Sequence, residues 1–77
     1  MSTRLPALKP RDVIRALRKA GFFVARVSGG HYILKHEDRR PGEVVVPYHR
    51  GRDLKRGTLA SIIKQAGLTI EQFRKLL

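Results

Sequence analysis

Three histidines are the side chains of this chain best suited to chemistry at neutral pH: His31, His36 and His49. Histidine titrates near neutral pH without special tuning, so it can serve as a general acid or a general base. His31 follows Gly29 and Gly30, which lack side chains and therefore let a substrate approach the backbone closely. From position alone, an ordinary strand histidine remains the simpler interpretation of His31.

Other residue types that support catalysis are absent from the sequence or scattered along it. The chain has no cysteine, which excludes disulfides and thiolate metal sites. The acidic residues form no pattern typical of metal ligation; they are Asp12, Glu37, Asp38, Glu43, Asp53 and Glu71. We therefore expect neither a metal nor an organic cofactor.

The net charge is the strongest indication of what the chain binds. Seventeen lysines and arginines against six acidic residues give +11 over 77 residues. Self-repulsion on this scale opposes folding, so we expect a partner to supply counter-charge. A nucleic acid fits best, and the alternatives are an acidic protein, an anionic membrane or a charge that serves solubility alone. The spread of basic residues over the whole chain disfavours the membrane.

An amphipathic helix is predicted at residues 10–20. Pro10 suits the first turn of a helix, and Gly21 suits the position just after its end. At helical spacing, apolar residues fall on one side and arginines on the other, namely Val13, Ile14 and Leu17 against Arg11, Arg15 and Arg18. This pattern predicts one buried face and a basic outer stripe.

Three strands are predicted at 22–27, 31–36 and 43–47, where aromatic and β-branched residues are enriched. Gly29 and Gly30 indicate a tight hairpin between the first two strands. A polar loop at 37–42, which includes Arg39, Arg40 and Pro41, leads to the third. Short connections make the three strands antiparallel neighbours.

The alternation of side chains along the second strand assigns each residue to a face. Tyr32 and Leu34 are expected to face the core, which places His31, Ile33 and Lys35 outward on the other face. A slip of one residue would reverse this assignment. The phenylalanines at 22, 23 and 73 are most simply core residues.

Two further helices are predicted after a basic loop at 48–57. The helix at 58–66 has an apolar stripe and ends at Gly67. A capping box of Thr69 and Gln72 then begins a short terminal helix. The loop before them contains the densest basic run of the chain, with Arg50, Arg52, Lys55 and Arg56.

The element order predicts a single α+β domain over 1–77, with residues 1–8 as a loose N-terminal arm. The helices have the apolar stripes needed to cover one face of the sheet, while the other face stays open. This is a two-layer α-β-β-β-α sandwich with a short extra C-terminal helix, the layout of the double-stranded-RNA-binding domain.

Three blocks of the sequence resemble the HicA family: 29–34 (Gly-Gly-His-Tyr-Ile-Leu), 44–49 (Val-Val-Val-Pro-Tyr-His), and the pair Gly57-Thr58-Leu59 and 64–68 (Lys-Gln-Ala-Gly-Leu). The resemblance extends from about Lys9 to Leu68. HicA proteins are toxins of type II toxin–antitoxin systems. The resemblance implies a double-stranded-RNA-binding-like fold and activity as an mRNA interferase, an endoribonuclease that blocks translation.

The resemblance also implies a role for His31. The family's catalytic histidine lies in a Gly-Ser-His motif and corresponds to His31, while Gly30 occupies the serine position, so any contribution from a hydroxyl there is lost. Lys35 and the basic run Arg50, Arg52, Lys55 and Arg56 are candidates for binding RNA phosphates. His49 is either a second substrate contact or a solvated loop residue.

The expected function is therefore metal-independent cleavage of mRNA in the cytoplasm, with a HicB-type antitoxin as the protein partner. A non-catalytic RNA-binding domain of the same fold is the main alternative. A module that uses its charge only to bind an acidic protein is a third.

Overall fold

The computed structural model describes residues 5–38 and 42–77. Its elements are α1 (Pro10–Lys19), β1 (Phe23–Ser28), β2 (His31–Lys35), β3 (Val44–Pro47), α2 (Arg56–Gln65) and α3 (Ile70–Arg74). The predicted α+β fold is confirmed, with the α-β-β-β-α order of the double-stranded-RNA-binding domain and a short extra helix at the C-terminal end. Arg39, Arg40 and Pro41 of the predicted polar loop lie outside the described residues.

The sheet is an antiparallel meander in the order β1-β2-β3, so β2 is its central strand. The predicted hairpin is confirmed, because Gly29 and Gly30 adopt φ angles of 53° and 80° between β1 and β2. A two-residue turn in which both residues have positive φ matches the twist of the flanking strands, and glycine adopts it without strain. This turn sets the register in which His31 pairs with Ser28 on one side and with Pro47 on the other.

One face of the sheet packs against the helices. Leu34 is fully buried in the main core cluster, and Tyr32 packs against that cluster while remaining half-exposed. The largest fully buried side chains come from both layers; they are Phe73, Leu17, Leu34, Leu59, Ile62, Val13, Val44 and Val46. The predicted alternation along β2 is confirmed, with Leu34 and Tyr32 inward and His31 and Lys35 exposed.

The opposite face of the sheet, called here the open face, bears the alternate side chains Phe23, Arg26, Ser28, His31, Ile33, Lys35, Val45 and Pro47. Ile33 is only 6% exposed although it points outward as predicted, because it lies on the central strand between Arg26 and Val45. The expectation that Phe23 is a core residue is wrong. Phe22 and Phe73 are buried as predicted, whereas Phe23 is 44% exposed because it points to the opposite side from its neighbour Phe22.

The end of the expected loose arm is packed rather than free. Leu8 is buried in the core, and its carbonyl oxygen accepts a hydrogen bond of 2.8 Å from the Leu54 amide. Beside it, Lys9 Nζ lies 3.4 Å from Asp53 Oδ1. These contacts tie the segment before α1 to the loop before α2; residues 1–4 of the arm lie outside the described residues.

Helix α2 begins two residues earlier than predicted, at Arg56. Lys55 is its N-cap, and the Lys55 carbonyl accepts the first helical hydrogen bond from the Leu59 amide at 2.9 Å. Gly57, the last residue of the predicted loop, lies in the first turn of α2, where the packing of Leu59, Ile62 and Ile63 offsets its low helix propensity. Arg56 therefore belongs to a helix and not to the loop.

His36 holds the end of α1 against the end of β2. Its Nε2 lies 3.1 Å from the Ala20 carbonyl oxygen, and its Nδ1 accepts a hydrogen bond of 3.1 Å from the Asp38 amide. Its ring also meets the Phe22 ring edge-on, with centroids 5.0 Å apart. Both ring nitrogens are therefore engaged, which indicates a structural role.

Gly21 is the residue that makes room for this histidine. It has a φ of 99°, and a Cβ atom there would lie 2.6 Å from His36 Nε2. We expect Gly21→Ala to destabilise the protein by about 2–4 kcal/mol, from left-handed strain plus the loss of the histidine contacts. The free energy of unfolding from a urea titration measures the effect.

Gly51→Ala is the matched control, since Gly51 also has positive φ, 77°, but a Cβ there would meet nothing within 4 Å. It should cost only the strain, about 1–2 kcal/mol. Equal losses in the two variants would show that the His36 contact contributes nothing.

Candidate active site

His31 is exposed at the first position of β2, next to the hairpin turn. Its Nδ1 lies 3.2 Å from the Gly29 carbonyl oxygen. Because a carbonyl oxygen only accepts hydrogen bonds, this contact favours the tautomer with hydrogen on Nδ1 and leaves a lone pair on Nε2. The turn thus orients the ring, and Nε2 has no hydrogen-bond partner among the described residues. An exposed, oriented imidazole of this kind can take up a proton from a bound substrate.

The turn beside His31 leaves the surface open. A Cβ atom on Gly29 would meet nothing within 4 Å, and one on Gly30 would meet only the Tyr48 carbonyl oxygen, at 4.0 Å. A serine at position 30 would therefore fit in space, but the φ of 80° would strain it. The conformation of this hairpin accounts for glycine in place of the motif serine.

The other two histidines lie in different surroundings. His36 is engaged through both ring nitrogens in the contacts described above. His49 is exposed in the loop after β3, two residues beyond Pro47, which pairs with His31. His49 is thus on the same end of the sheet as His31, whereas His36 follows the opposite end of β2.

Lys35 shares the open face with His31 but lies four positions further along β2, about 13 Å away. It is also paired: Glu43 Oε2 lies 3.5 Å from Lys35 Nζ and 3.2 Å from Arg26 Nη1. The Arg26 hydrogen bond, with the positive charges of Arg26 and Lys35, lowers the pKa of Glu43 below its usual value of 4.5. The carboxylate is therefore ionised, and the cluster intact, at neutral pH.

The predicted phosphate-binding residues Arg50, Arg52, Lys55 and Arg56 are all exposed along the segment from the end of β3 to the start of α2. The described residues include no acidic ion-pair partner for any of the four. Arg50 is three residues beyond Pro47 and so lies near the end of the sheet where His31 is found. Lys55 and Arg56 belong to the N-terminal end of α2.

Two tyrosines form a feature that the sequence did not reveal as a pair. The rings of Tyr32 and Tyr48 lie with their centroids 4.8 Å apart and their planes at 31°. The Tyr48 amide donates a 2.7 Å hydrogen bond to the Gly30 carbonyl, which extends the β2–β3 pairing past Pro47. The stack follows from the register of the sheet, in which Tyr32 pairs with Val46, two residues before Tyr48.

The tyrosine pair borders two adjoining grooves along α1. One has a volume of about 580 Å³ and is lined by Arg11, Ile14, Arg15, Arg18, Lys19, Tyr32 and Tyr48. The other, about 480 Å³, is lined by Lys9, Pro10, Arg11, Tyr48, His49, Arg50 and Gly51. Arg11 and Tyr48 line both grooves, so the two adjoin each other.

Within residues 5–38 and 42–77, no three or more His, Asp or Glu side chains are grouped so as to hold a metal ion. In the same part of the chain, no helix has the length and apolar character needed to cross a membrane.

A comparison with models of protein families identifies the family to which the chain is related. Residues 10–68 match the family model described as the HicA toxin of bacterial toxin–antitoxin systems. The chain belongs to the HicA toxin family. A comparison with curated proteins gave no match. The protein is thus the toxin of a toxin–antitoxin pair, and an antitoxin is its partner.

The Glu43 cluster predicts how this HicA toxin responds to the loss of one carboxylate. Glu43→Gln should raise RNA affinity several-fold at low salt if Lys35 contacts phosphate, because it frees Lys35 and Arg26. Fluorescence anisotropy with labelled RNA measures the affinity.

Glu71→Gln provides the control, since it makes the same change in net charge in the first turn of α3. A gain of equal size in both variants would show that net charge alone is responsible and would leave Lys35 without a specific role.

Proposed function

We propose that this HicA toxin is a metal-independent endoribonuclease that cleaves mRNA in the cytoplasm and so inhibits translation. His31 is the general acid–base residue. The observation that carries the proposal is the exposed His31 ring, oriented by the Gly29 carbonyl with its Nε2 lone pair directed away from that contact. Membership of the HicA toxin family supports a toxic activity of this kind.

The chemistry requires no group beyond the RNA and an acid–base residue. His31 Nε2 removes the proton from a ribose 2′-hydroxyl, and the 2′-oxygen attacks the adjacent phosphorus. The new bond joins O2′ to phosphorus while the bond from phosphorus to O5′ breaks. The imidazolium, or water, returns a proton to O5′, leaving a 2′,3′-cyclic phosphate and a 5′-hydroxyl. Such proton transfer contributes about 10²–10⁴-fold in rate.

The charge distribution supports RNA as the substrate. The net charge of +11 calls for a polyanion, and Lys35, Arg50, Arg52, Lys55 and Arg56 are proposed to contact its phosphates. Of these, Arg50 lies at the His31 end of the sheet, whereas Lys35 becomes available only when its pairing with Glu43 is exchanged for phosphate.

A non-catalytic RNA-binding domain is the second candidate, and one observation favours it. Gly30 stands where the family motif has serine, so a hydroxyl that could assist His31 is missing. A binder of this kind would shift RNA on a gel in EDTA without cutting it.

The partner is proposed to be a HicB-type antitoxin that covers the open face. Phe23 and Val45 expose apolar surface there, on the same face as His31 and the basic residues Arg26 and Lys35. A partner with apolar and acidic side chains matches both properties and hides His31 when bound.

His31→Ala should lower the rate of RNA cleavage by about 10²–10⁴-fold, because it removes the acid–base group. It should change the free energy of unfolding by less than about 0.5 kcal/mol, because the side chain is exposed. Cleavage of an mRNA in EDTA, followed on a denaturing gel, gives the rate.

Lys64→Gln, a change to an exposed residue of α2, is the control and should cleave like the unaltered protein. A folded His31→Ala variant that cuts RNA at the control rate would refute the assignment of the catalytic residue.

Val45→Glu should weaken antitoxin binding at least tenfold, because it replaces apolar surface on the open face by a charge that repels acidic groups. Titration calorimetry with a purified antitoxin measures the change. Val27→Glu is the control, as Val27 is also exposed but pairs with Tyr32 and so faces the other side of the sheet. Unchanged binding by Val45→Glu would place the antitoxin elsewhere.

A further inference from the structure

The outer face of α1 and the tyrosine pair line a groove in two adjoining parts, which share Arg11 and Tyr48. Together the two grooves are lined by Arg11, Arg15, Arg18, Lys19, Tyr32, Tyr48, His49 and Arg50, among others. We propose that this groove, called here the α1 track, binds a single-stranded segment of RNA, with phosphates on the arginines and a base against the tyrosines. The proposal rests on RNA being the substrate and names where the strand lies.

The charge of the α1 track is available to a ligand. Arg11, Arg18 and Lys19 have no ion-pair partner among the described residues, and all three are exposed. Arg15 differs, since its Nη2 lies 3.2 Å from Asp12 Oδ1 of the same helix. The cations lie on successive turns of one helix face, and their spacing suits a chain of phosphates better than a single anion.

The tyrosines supply aromatic surface on which a base can stack, which basic side chains alone do not provide. Each is half-buried, so its ring is held by packing while part of it stays accessible beside the track. Because the two rings already lie 4.8 Å apart in a tilted stack, they form a rigid aromatic platform. Base stacking on such platforms is typical of proteins that bind single strands, whereas bases inside a duplex are covered by their neighbours.

The position of the track relative to His31 links binding to chemistry. Tyr32 follows His31 in β2, but the two side chains point to opposite faces of the sheet. A strand that lies on the α1 track must therefore pass around the end of the sheet to reach His31. Gly29 and Gly30 form that end and present no side chains to obstruct the passage. This explains why a bare turn lies between the track and the histidine.

The alternatives explain less of the surface. The basic run at Arg50, Arg52, Lys55 and Arg56 is densely charged, but of these four only Arg50 is among the lining residues of the grooves, whereas cations from Arg11 to Lys19 line them along α1. An acidic segment of a protein would satisfy the arginines, but its charged side chains offer no planar base to stack on the half-buried tyrosine rings. RNA therefore fits the combination of charge and aromatic rings better than a protein does.

The test measures binding of a labelled single-stranded RNA of about a dozen nucleotides, by fluorescence anisotropy across a salt series. All variants are made in the His31→Ala chain, so that binding is measured without cleavage. Arg11→Gln with Arg18→Gln should lower affinity about tenfold or more at 0.1 M salt and reduce the salt slope by about 1.4, which corresponds to two lost phosphate contacts.

Matched variants separate this site from general charge and from folding. Lys64→Gln with Lys75→Gln removes the same charge from exposed positions outside both grooves and should lower affinity less than about twofold. Tyr48→Leu should weaken binding about fivefold or more, while Tyr48→Phe, which keeps the ring, should bind like the parent.

Two results would overturn the proposal. The first is an equal loss of RNA affinity in the Lys64/Lys75 and Arg11/Arg18 variants, which would show that binding depends on overall charge and not on this groove. The second is unchanged RNA binding by the Arg11/Arg18 pair, which would show that the strand does not lie on the track. Loss of antitoxin binding in the same pair, measured by titration calorimetry, would then identify the groove as a protein site. Either result refutes the α1 track but not the proposal that His31 cleaves RNA. Conversely, a protein that binds RNA on the track and does not cut it would refute the nuclease proposal but not the track.

Discussion

The structure depends on a single constraint: within residues 5–38 and 42–77, the three-stranded sheet has helices on only one of its faces. That face must bury Leu34, Val44 and Val46, and the period of two along β2 then places His31 and Lys35 on the other side. A slip of one residue would bury a histidine and a lysine without partners. The Gly29–Gly30 turn prevents this slip because its geometry fixes the register of the hairpin. The same turn that folds the sheet therefore exposes and orients His31.

The positive charge is distributed in relation to this asymmetry. On the open face, the described structure supplies its own counter-ion, Glu43, which holds Arg26 and Lys35. Along α1, most of the exposed cations lack such a partner among the described residues and line a groove with two tyrosines. An anionic ligand on the open face must displace Glu43 from Arg26 and Lys35, whereas on α1 most of the cations are already unpaired among the described residues. This difference favours α1 as the surface on which an RNA strand first binds, as proposed above.

Sequence patterns predicted the fold well, because each element has a strong local signal: the helical stripe of α1, the glycine pair of the hairpin and the capping box at Thr69. They failed where contacts are not local. Glu43 pairs with Arg26 and Lys35, which precede it by 17 and 8 positions, and these ion pairs could not be found without the register of the sheet. The same holds for the stack of Tyr32 on Tyr48. The role of His36 was equally hidden, since its partner Ala20 lies 16 residues away. His31 was singled out by its glycine neighbours and its resemblance to a family motif, and its catalytic role stays a proposal.

The chemistry of the cut ends tests the central claim most directly. Mass spectrometry of the fragments formed from a defined RNA in EDTA distinguishes attack by the 2′-hydroxyl from attack by water. If His31 acts on the 2′-hydroxyl, each upstream fragment ends in a 2′,3′-cyclic phosphate and each downstream fragment begins with a 5′-hydroxyl. Fragments that instead carry a 3′-hydroxyl and a 5′-phosphate would contradict the account, because an attacking water produces them and the 2′-hydroxyl takes no part.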